Sequence, residues 1–186
     1  MMEPADRSEI QEHYAAVSSG SGWLYLLAGL GLFNLIIRAL RMDFVLIAIQ
    51  FTESLTYAAT LPRFAGYRIA LFVISLVIIG LFALFGYFAR RRHRWAFVAG
   101  MVLYGLDTML LLSYFAAGFD IGLTIYTLFH LFGLYKIFQG TVACWALARI
   151  DREDRLLEQS LARGRARVKQ TMAEYDPFDD YPTPRA

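Results

Sequence analysis

The sequence predicts an all-α, polytopic transmembrane helical bundle of about five spans with a cytoplasmic C-terminal helix. Of the 186 residues, 58% are hydrophobic and only 18% are charged. The mean hydropathy of +0.44 is too high for an ordinary soluble domain of this size. Long apolar runs alternate with short basic clusters, as expected for helices that cross a bilayer. The first residues lack the pattern of a signal peptide, so we expect the first span to stay in the mature protein.

The first span is predicted at residues 23–40, after a polar N-terminal segment at 1–21. Trp23 and Tyr25 are amphipathic rings of the kind that favour a membrane interface. The uninterrupted apolar run is shorter than the roughly 20 residues needed to cross a bilayer. We therefore expect Arg38 to extend its guanidinium group to the membrane surface, so that the helix can continue to residue 40.

The second span is predicted at residues 44–61, immediately before a proline. Gln50, Glu53 and Tyr57 are spaced by three and four residues, so they share one face of this helix. A polar stripe in contact with lipid would be unfavourable. This face is therefore expected to point into the bundle.

The third and fourth spans are predicted at residues 69–89 and 95–115. The third contains no charged residue. The fourth follows a basic cluster and contains Tyr104 and Asp107. The cluster is predicted to interact with lipid headgroups and to set the topology; it consists of Arg90, Arg91, Arg92 and Arg94.

The fifth span is predicted at residues 121–148 and contains His130 and Lys136. At ~1.5 Å per residue it is about 42 Å long, so it must tilt or extend beyond the bilayer core. A charged cytoplasmic helix is expected at 149–174, with apolar residues at weakly heptad spacing. The proline-rich, acidic segment at 175–186 is predicted to be disordered.

The distribution of basic residues predicts an N-terminus outside and a C-terminus in the cytoplasm. In a five-span topology, 13 Arg and Lys side chains fall on one side and three on the other. Cytoplasmic loops are enriched in Arg and Lys, which fixes the orientation. In a four-span alternative, the short first run lies at the interface and the later helices keep their orientation.

Four ionisable side chains are predicted to lie within the bilayer. Counted along their helices, Glu53, Asp107 and Lys136 lie at similar heights, and His130 lies further from the cytoplasm. Each buried charge costs on the order of 2.5 to 3.5 kcal/mol on insertion scales. We therefore expect Lys136 to pair with one acid, while the other is protonated or hydrogen-bonded by neighbouring polar groups, namely Gln50, Tyr57 or Tyr104.

Three interpretations of this set of residues remain open. The polar side chains could form a hydrogen-bonded network that fixes helix packing. Alternatively, Glu53, Asp107 and His130 could form a proton relay or a cation site. The same three residues could also hold a divalent metal ion with an activated water. A single cysteine, Cys144, excludes a metal site built from several thiolates of one chain, and no cofactor is predicted.

Three stretches resemble a group of uncharacterised bacterial multi-span membrane proteins. They lie at residues 22–30, 86–107 and 129–140, and the most specific is Arg-Trp-Ala-Phe-Val-Ala-Gly-Met-Val-Leu-Tyr-Gly-Leu-Asp at 94–107. The stretch from Gln50 to Glu53 is similar to a Thr-Gln-Leu-x-Asp motif, with Ile before the glutamine and Glu in place of Asp. The resemblance covers roughly residues 22–148. It implies a bacterial inner-membrane location and no activity.

The predicted function is a structural or interaction component that is not an enzyme. Its expected partners are the lipid bilayer and, through the C-terminal helix, a second copy or other membrane proteins. No nucleic-acid partner is expected, because the bases occur in short clusters between apolar runs. The alternative is a small proton or cation transporter or channel that uses Glu53, Asp107 and His130.

Overall fold

The computed structural model describes residues 4–42, 44, 46, 48–115 and 121–174. Every regular element among these residues is a helix. Four helices are long and apolar enough to cross a membrane, namely α1, α3, α4 and α5. The elements are α1 Pro4–Ala39, α2 Gln50–Ala58, a 3-10 segment at Pro62–Tyr67, α3 Arg68–Arg90, α4 Arg94–Phe115 and α5 Ile121–Glu174.

The second predicted span, at 44–61, must be corrected, because its helix α2 has only nine residues. Such a helix is about 14 Å long, which is less than half of a bilayer core. Ile49, which precedes it, has an extended backbone with φ −107° and ψ 107°. Polar residues interrupt the apolar run throughout α2, so this segment lacks the continuous apolar surface of a crossing helix. The five-span count therefore becomes four candidate spans.

The first apolar run belongs to a helix of 36 residues, which includes most of the polar segment predicted at 1–21. Val17, Leu24 and Leu27 are buried along it, so its packing continues well before the predicted start of the span. The four-span alternative placed the first run at the interface, whereas in the structure this run is part of a long apolar helix and the helix within 44–61 is the short one.

The two ends of the bundle can be identified from side-chain contacts. At the end that we call the arginine-turn end, Arg92 between α3 and α4 donates a hydrogen bond from Nη1 to the Tyr14 hydroxyl of α1 at 3.3 Å. Arg94 lies 5.2 Å from the ring centroid of Trp145 in α5. The N-terminal part of α1 therefore lies at the same end as the basic cluster. This corrects the prediction that a membrane separates them.

At the opposite end, which we call the α2 end, α1 finishes and α3 begins. The backbone of Arg68 in α3 follows directly after the 3-10 segment, and its side-chain Nε donates to the carbonyl of Ala59 at 3.1 Å. The hydroxyl groups of Ser54 in α2 and Tyr114 in α4 are 3.4 Å apart. Helix α2 therefore lies between α1, α3 and α4, at one end of the bundle only.

The core of the bundle is formed by apolar side chains from α1, α3, α4 and α5. Trp23 of α1 makes edge-to-face contacts with Phe129 and Phe132 of α5, with ring centroids 5.3 Å apart in both cases. Such aromatic pairs stabilise packing beyond the area that they bury. The fully buried members of the core include Leu24, Leu27, Phe82, Phe97, Ile137 and Leu147.

Helices α1 and α5 approach each other most closely at Gly20 and Gly140. A Cβ atom on Gly20 would lie 2.9 Å from the Cα of Gly140 and 2.9 Å from the Lys136 carbonyl oxygen. Glycine is required here because backbone atoms, which cannot move aside, fill the space of a side chain. By contrast, a Cβ atom on Gly29 would meet nothing within 4 Å.

Residues 148–186 form a second compact unit, separate from the bundle at 1–147. Its described part is the remainder of α5, which ends at Glu174. Side chains along residues 152–170 are exposed, including Leu157, Leu161 and Val168. The predicted disordered segment at 175–186 lies outside the described residues.

Replacing Gly20 by Ala should lower the stability of the bundle by about 1 to 3 kcal/mol, because the added methyl group overlaps two backbone atoms. The measurement is the thermal unfolding midpoint in detergent. The control is Gly29→Ala, which gains helix propensity without an overlap and should leave the midpoint unchanged or raise it. Equal midpoints for the two variants would contradict the close approach of α1 and α5.

Candidate functional site

The site is built around the N-terminus of α2, which begins inside the bundle. The first residues of a helix leave backbone N–H groups without intrahelical partners, and Ile49 provides no side-chain cap. The Asp107 carboxylate of α4 takes this role. Its Oδ2 accepts from the backbone N–H of Gln50 at 3.0 Å, and its Oδ1 accepts from that of Phe51 at 2.7 Å. A carboxylate here also interacts favourably with the helix dipole.

His130 of α5 is the second partner of Asp107. Its Nε2 lies 3.1 Å from Asp107 Oδ2, and its Nδ1 lies 2.9 Å from the carbonyl oxygen of Tyr126. His130 is fully buried, and only 4% of Asp107 is exposed. Asp107 lies eight residues before the end of α4, so the pair is about 12 Å from that end of the helix.

The two hydrogen bonds of His130 determine how many protons the pair holds. A carbonyl oxygen can only accept, so Nδ1 must carry a hydrogen and donate it to Tyr126. The contact between Nε2 and Asp107 Oδ2 then needs one further proton, on either the imidazole or the carboxyl group. In both forms His130 and Asp107 together have no net charge. This removes most of the cost of burying an isolated carboxylate.

Asn34 of α1 holds the chain that leads into α2. Its Oδ1 accepts from the backbone N–H of Leu46 at 2.9 Å, and its Nδ2 donates to the carbonyl of the same residue at 2.7 Å. The amide thus pairs with both backbone groups of Leu46, as a neighbouring β-strand would. Asn34 is 3% exposed, so these bonds are made in the interior.

Glu53 of α2 bonds to the same Asn34 side chain. The Nδ2 of Asn34 also donates to Glu53 Oε1 at 3.0 Å. The backbone N–H of Glu53 bonds to the Ile49 carbonyl and closes the first turn of α2. Thr52 and Thr56 are buried and bond back to carbonyls of their own segment at Ile49 and Glu53. Asn34 therefore joins α1 to α2 and to the segment before it, whereas Asp107 and His130 join α2, α4 and α5.

Tyr104 packs against His130, and the hydrogen bond to an acid that the sequence predicted as one possibility for Tyr104 is not formed among the described residues. The two rings are stacked with centroids 5.1 Å apart and 18° between their planes. The Tyr104 hydroxyl is buried and has no hydrogen-bond partner in the part of the chain that the structure describes. A Cβ atom on Gly133 would lie 3.2 Å from this oxygen, so glycine provides the space for the ring.

Two residues expected in the network lie elsewhere. Lys136 Nζ donates to Gln139 Oε1 at 3.3 Å and lies 5.6 Å from the ring of Phe132, so the expected ion pair with an acid is not formed among the described residues. Tyr57 is 55% exposed, and its ring faces Arg38 at 5.9 Å. Gln50, the remaining member, takes part through its backbone N–H group.

The basic cluster at the arginine-turn end is held largely by aromatic rings. Arg91 lies 4.4 Å from the ring centroid of Tyr87, in addition to the contacts of Arg92 and Arg94 described above. The Cys144 thiol is buried and donates to the backbone carbonyl of Arg92 at 3.2 Å. Cation–π contacts of this kind link the turn to helices α1 and α5.

A cavity of about 370 Å³ reaches Asp107 from between α2, α3 and α4. Its other lining residues are apolar and include Phe82, Leu103 and Leu106. Among the described residues, no group of three His, Cys, Asp or Glu side chains is arranged to hold a metal ion. The interpretation as a metal site therefore has no set of ligands in this part of the chain. The arrangement of Asp107 and His130 is suited to capping a helix and to holding one proton.

The fold and site define a helical bundle in which a short internal helix is capped by a carboxylate from a neighbouring helix. No protein-family model, no curated protein and no solved structure matches the chain. The resemblance to bacterial multi-span membrane proteins stays a prediction.

Asn34 was not predicted as part of the site, although the sequence contains a signal. It is the only polar residue between Gly22 and Ile37 other than tyrosine and tryptophan. An amide in such an apolar run needs a partner, because burying it without one costs about 1 to 3 kcal/mol. That partner is a backbone segment, which no pattern of polar side chains reveals.

Replacing Asp107 by Asn should destabilise the protein by about 3 kcal/mol, because the amide places an N–H donor where a backbone N–H or His130 now bonds to an oxygen. The measurement is the thermal unfolding midpoint in detergent. Glu53→Gln keeps an acceptor for Asn34 and should cost less than 1 kcal/mol. Tyr104→Phe removes an unpartnered hydroxyl and should be neutral or stabilising. An unchanged midpoint for Asp107→Asn would rule out the capping role.

Proposed function

We propose that this protein is an integral membrane component with four crossing helices, α1, α3, α4 and α5, and with α2 as a re-entrant half-helix. The length and apolarity of these four helices support the proposal. So does the hydrogen bonding of the segment at 44–58. Irregular backbone within a bilayer is tolerated only where protein or water satisfies its polar groups. Asn34 and Asp107 do this for the backbone of Leu46, Gln50 and Phe51.

The orientation that we propose has both the N-terminal segment and the C-terminal helix in the cytoplasm. Basic residues support it. The bundle has five basic residues at the arginine-turn end and four at the α2 end. The segment at 148–174 contains seven more basic residues. Cytoplasmic regions are enriched in Arg and Lys. The prediction of an external N-terminus required five spans, which the short α2 does not provide.

Cysteine labelling tests this topology in intact cells with a maleimide that cannot cross membranes. On a Cys144→Ser background, Ala65→Cys at the α2 end should react, whereas Gln11→Cys and Gln159→Cys should react only after the cells are opened. All three positions are exposed in the structure. A five-span protein would differ at one position, since Gln11→Cys would react in intact cells.

The function that we propose is that of an interaction component without enzymatic activity. We do not propose proton or cation transport, because Asp107 and His130 are almost completely buried and the cavity that reaches Asp107 is otherwise apolar. A conducting path needs polar or hydrated walls. A buried network whose donors and acceptors are paired is typical of a structural role.

The observation that carries this proposal is the exposed apolar stripe on the C-terminal part of α5. Four apolar side chains of this segment are each more than half exposed, namely Leu157, Leu161, Val168 and Met172. Their spacings of four, seven and four residues place them on one helical face. An apolar stripe that packs against nothing within its own unit is typical of a binding surface for another helix.

The charges beside the stripe indicate what kind of helix would bind. Four bases and no acid occur between residues 159 and 173, whereas residues 151–158 contain four acids and two arginines. The partner should therefore be an apolar helix flanked by acidic side chains. Residues 151–161 of a second copy of this chain provide apolar and acidic side chains of this kind.

The mass of the purified protein in detergent, measured by size exclusion with light scattering, tests this interface. Wild type should be a dimer, and Leu161→Glu should be a monomer, because a charge would be buried in the apolar seam. Gln159→Glu adds the same charge on the opposite face and should remain dimeric. A monomeric wild type, or a dimeric Leu161→Glu variant, would contradict self-association through α5.

A further inference from the structure

Three arginine side chains line a cavity of about 510 Å³ at the α2 end of the bundle. Arg38 lies at the end of α1, Arg41 follows it, and Arg68 begins α3. Tyr57 and Thr60 contribute hydroxyl groups to the same wall. This cavity is separate from the buried network, and the topology of the chain does not require arginines to converge on one space.

Contacts within the described part of the chain limit the movement of the Arg38 and Arg68 side chains. Arg68 donates its Nε–H to the Ala59 carbonyl, which leaves its two Nη groups for another acceptor. Arg38 lies 5.9 Å from the ring centroid of Tyr57. Among the described residues, no carboxylate forms an ion pair with Arg38, Arg41 or Arg68. The cavity therefore combines three positive charges in positions that are partly fixed.

Arg41 occupies a backbone position that favours glycine. Its φ angle is 59°, and the N–H groups of Arg41 and Met42 close the end of α1 on the carbonyls of Arg38 and Ile37. A residue in this left-handed position at a helix end is usually glycine, because a side chain is strained there. A strained arginine whose side chain lines a basic cavity is more consistent with a binding role than with a structural one.

We propose that this cavity binds the phosphate group of an anionic phospholipid. Guanidinium groups recognise phosphate oxygens through paired, charge-assisted hydrogen bonds, and several arginines can share one phosphate. Basic pockets between the ends of membrane helices are suited to such headgroups. The cavity lies beside the ends of α1 and α3, where the headgroup region would be. The lipid source of the phosphate rests on the membrane location proposed above, whereas the phosphate chemistry does not.

The test uses the full chain in non-ionic detergent, titrated with short-chain phosphatidylglycerol while the thermal unfolding midpoint is followed. Binding to the native state should raise the midpoint. Arg41→Gly should bind the lipid at least about tenfold more weakly, since a charge-assisted contact is lost. Because glycine suits this backbone conformation, its midpoint without lipid should be unchanged or higher. Arg41→Lys, which keeps the charge but not the paired donors, should fall between the two.

The matched control is Arg63→Gln, which removes the same charge at the same end of the bundle. Arg63 stacks on Phe64 and does not line the cavity. The Arg63→Gln variant should therefore bind phosphatidylglycerol as tightly as wild type does. If Arg41→Gly and Arg63→Gln weaken binding equally, or if neither does, the lipid is attracted by overall charge or elsewhere, and the proposed site is wrong.

Two further ligands identify the source of the phosphate. Phosphatidylcholine has a phosphate but no net charge and should raise the midpoint less than phosphatidylglycerol. If inorganic phosphate alone raises the midpoint, with the same loss in Arg41→Gly, the cavity is a site for free phosphate and the lipid assignment is overturned. The assay is independent of the proposed interface, because Leu161→Glu should bind phosphatidylglycerol like wild type even where it is monomeric.

Discussion

The carboxylate of Asp107 is the constraint on which the rest of this bundle depends. A short helix that begins in the protein interior has N–H groups that nothing in its own segment can satisfy. Asp107 accepts from two of them, although it lies more than 50 residues away in the sequence. Without this contact, the N-terminus of α2 would be buried unsatisfied at a cost of about 1 to 3 kcal/mol for each group. The position of α2 is therefore set by α4.

The pair formed with His130 explains why a carboxylate can occupy this place. A single proton between the two groups leaves them neutral together, and each remaining donor or acceptor has a partner. A buried polar pair does not stabilise a fold more than a well-packed apolar pair would. The pair instead fixes where the helices lie, since its hydrogen bonds form only when α2, α4 and α5 are arranged in this way. Asn34 provides the same kind of restraint for the segment that enters α2.

Long apolar runs predicted much of the fold. The observed bounds of α3 and α4 differ from the prediction by one residue at their ends, because each helix is continuous and is bounded by charge or by a turn. The segment at 44–61 was predicted wrongly because its polar stripe resembled one face of a full helix. The stripe instead belongs to a helix of nine residues, in which Thr52 and Thr56 are buried and Tyr57 is exposed. Hydrophobic periodicity does not distinguish these cases.

The candidate site was predicted in part. Asp107 and His130 are hydrogen-bonded to each other, whereas Glu53 bonds to Asn34. Depth along a helix was not sufficient to place Lys136. Lys136 lies six residues after His130, so the two side chains point about 120° apart around α5. They therefore cannot face the same neighbouring helix. That angle was available from the sequence. The pairing of side chains with backbone groups at Leu46, Gln50 and Phe51 was not, since every residue carries these groups.

Amide hydrogen exchange, resolved by residue, tests the central claim most directly. In the wild-type protein, the backbone amides of Gln50 and Phe51 should be protected, because they donate to Asp107. In Asp107→Asn, at least one of these two amides should lose protection, while amides in the middle of α3 stay protected. Rapid exchange of both amides in the wild-type protein, or equal protection in the variant, would contradict the account in which Asp107 holds α2 in the bundle.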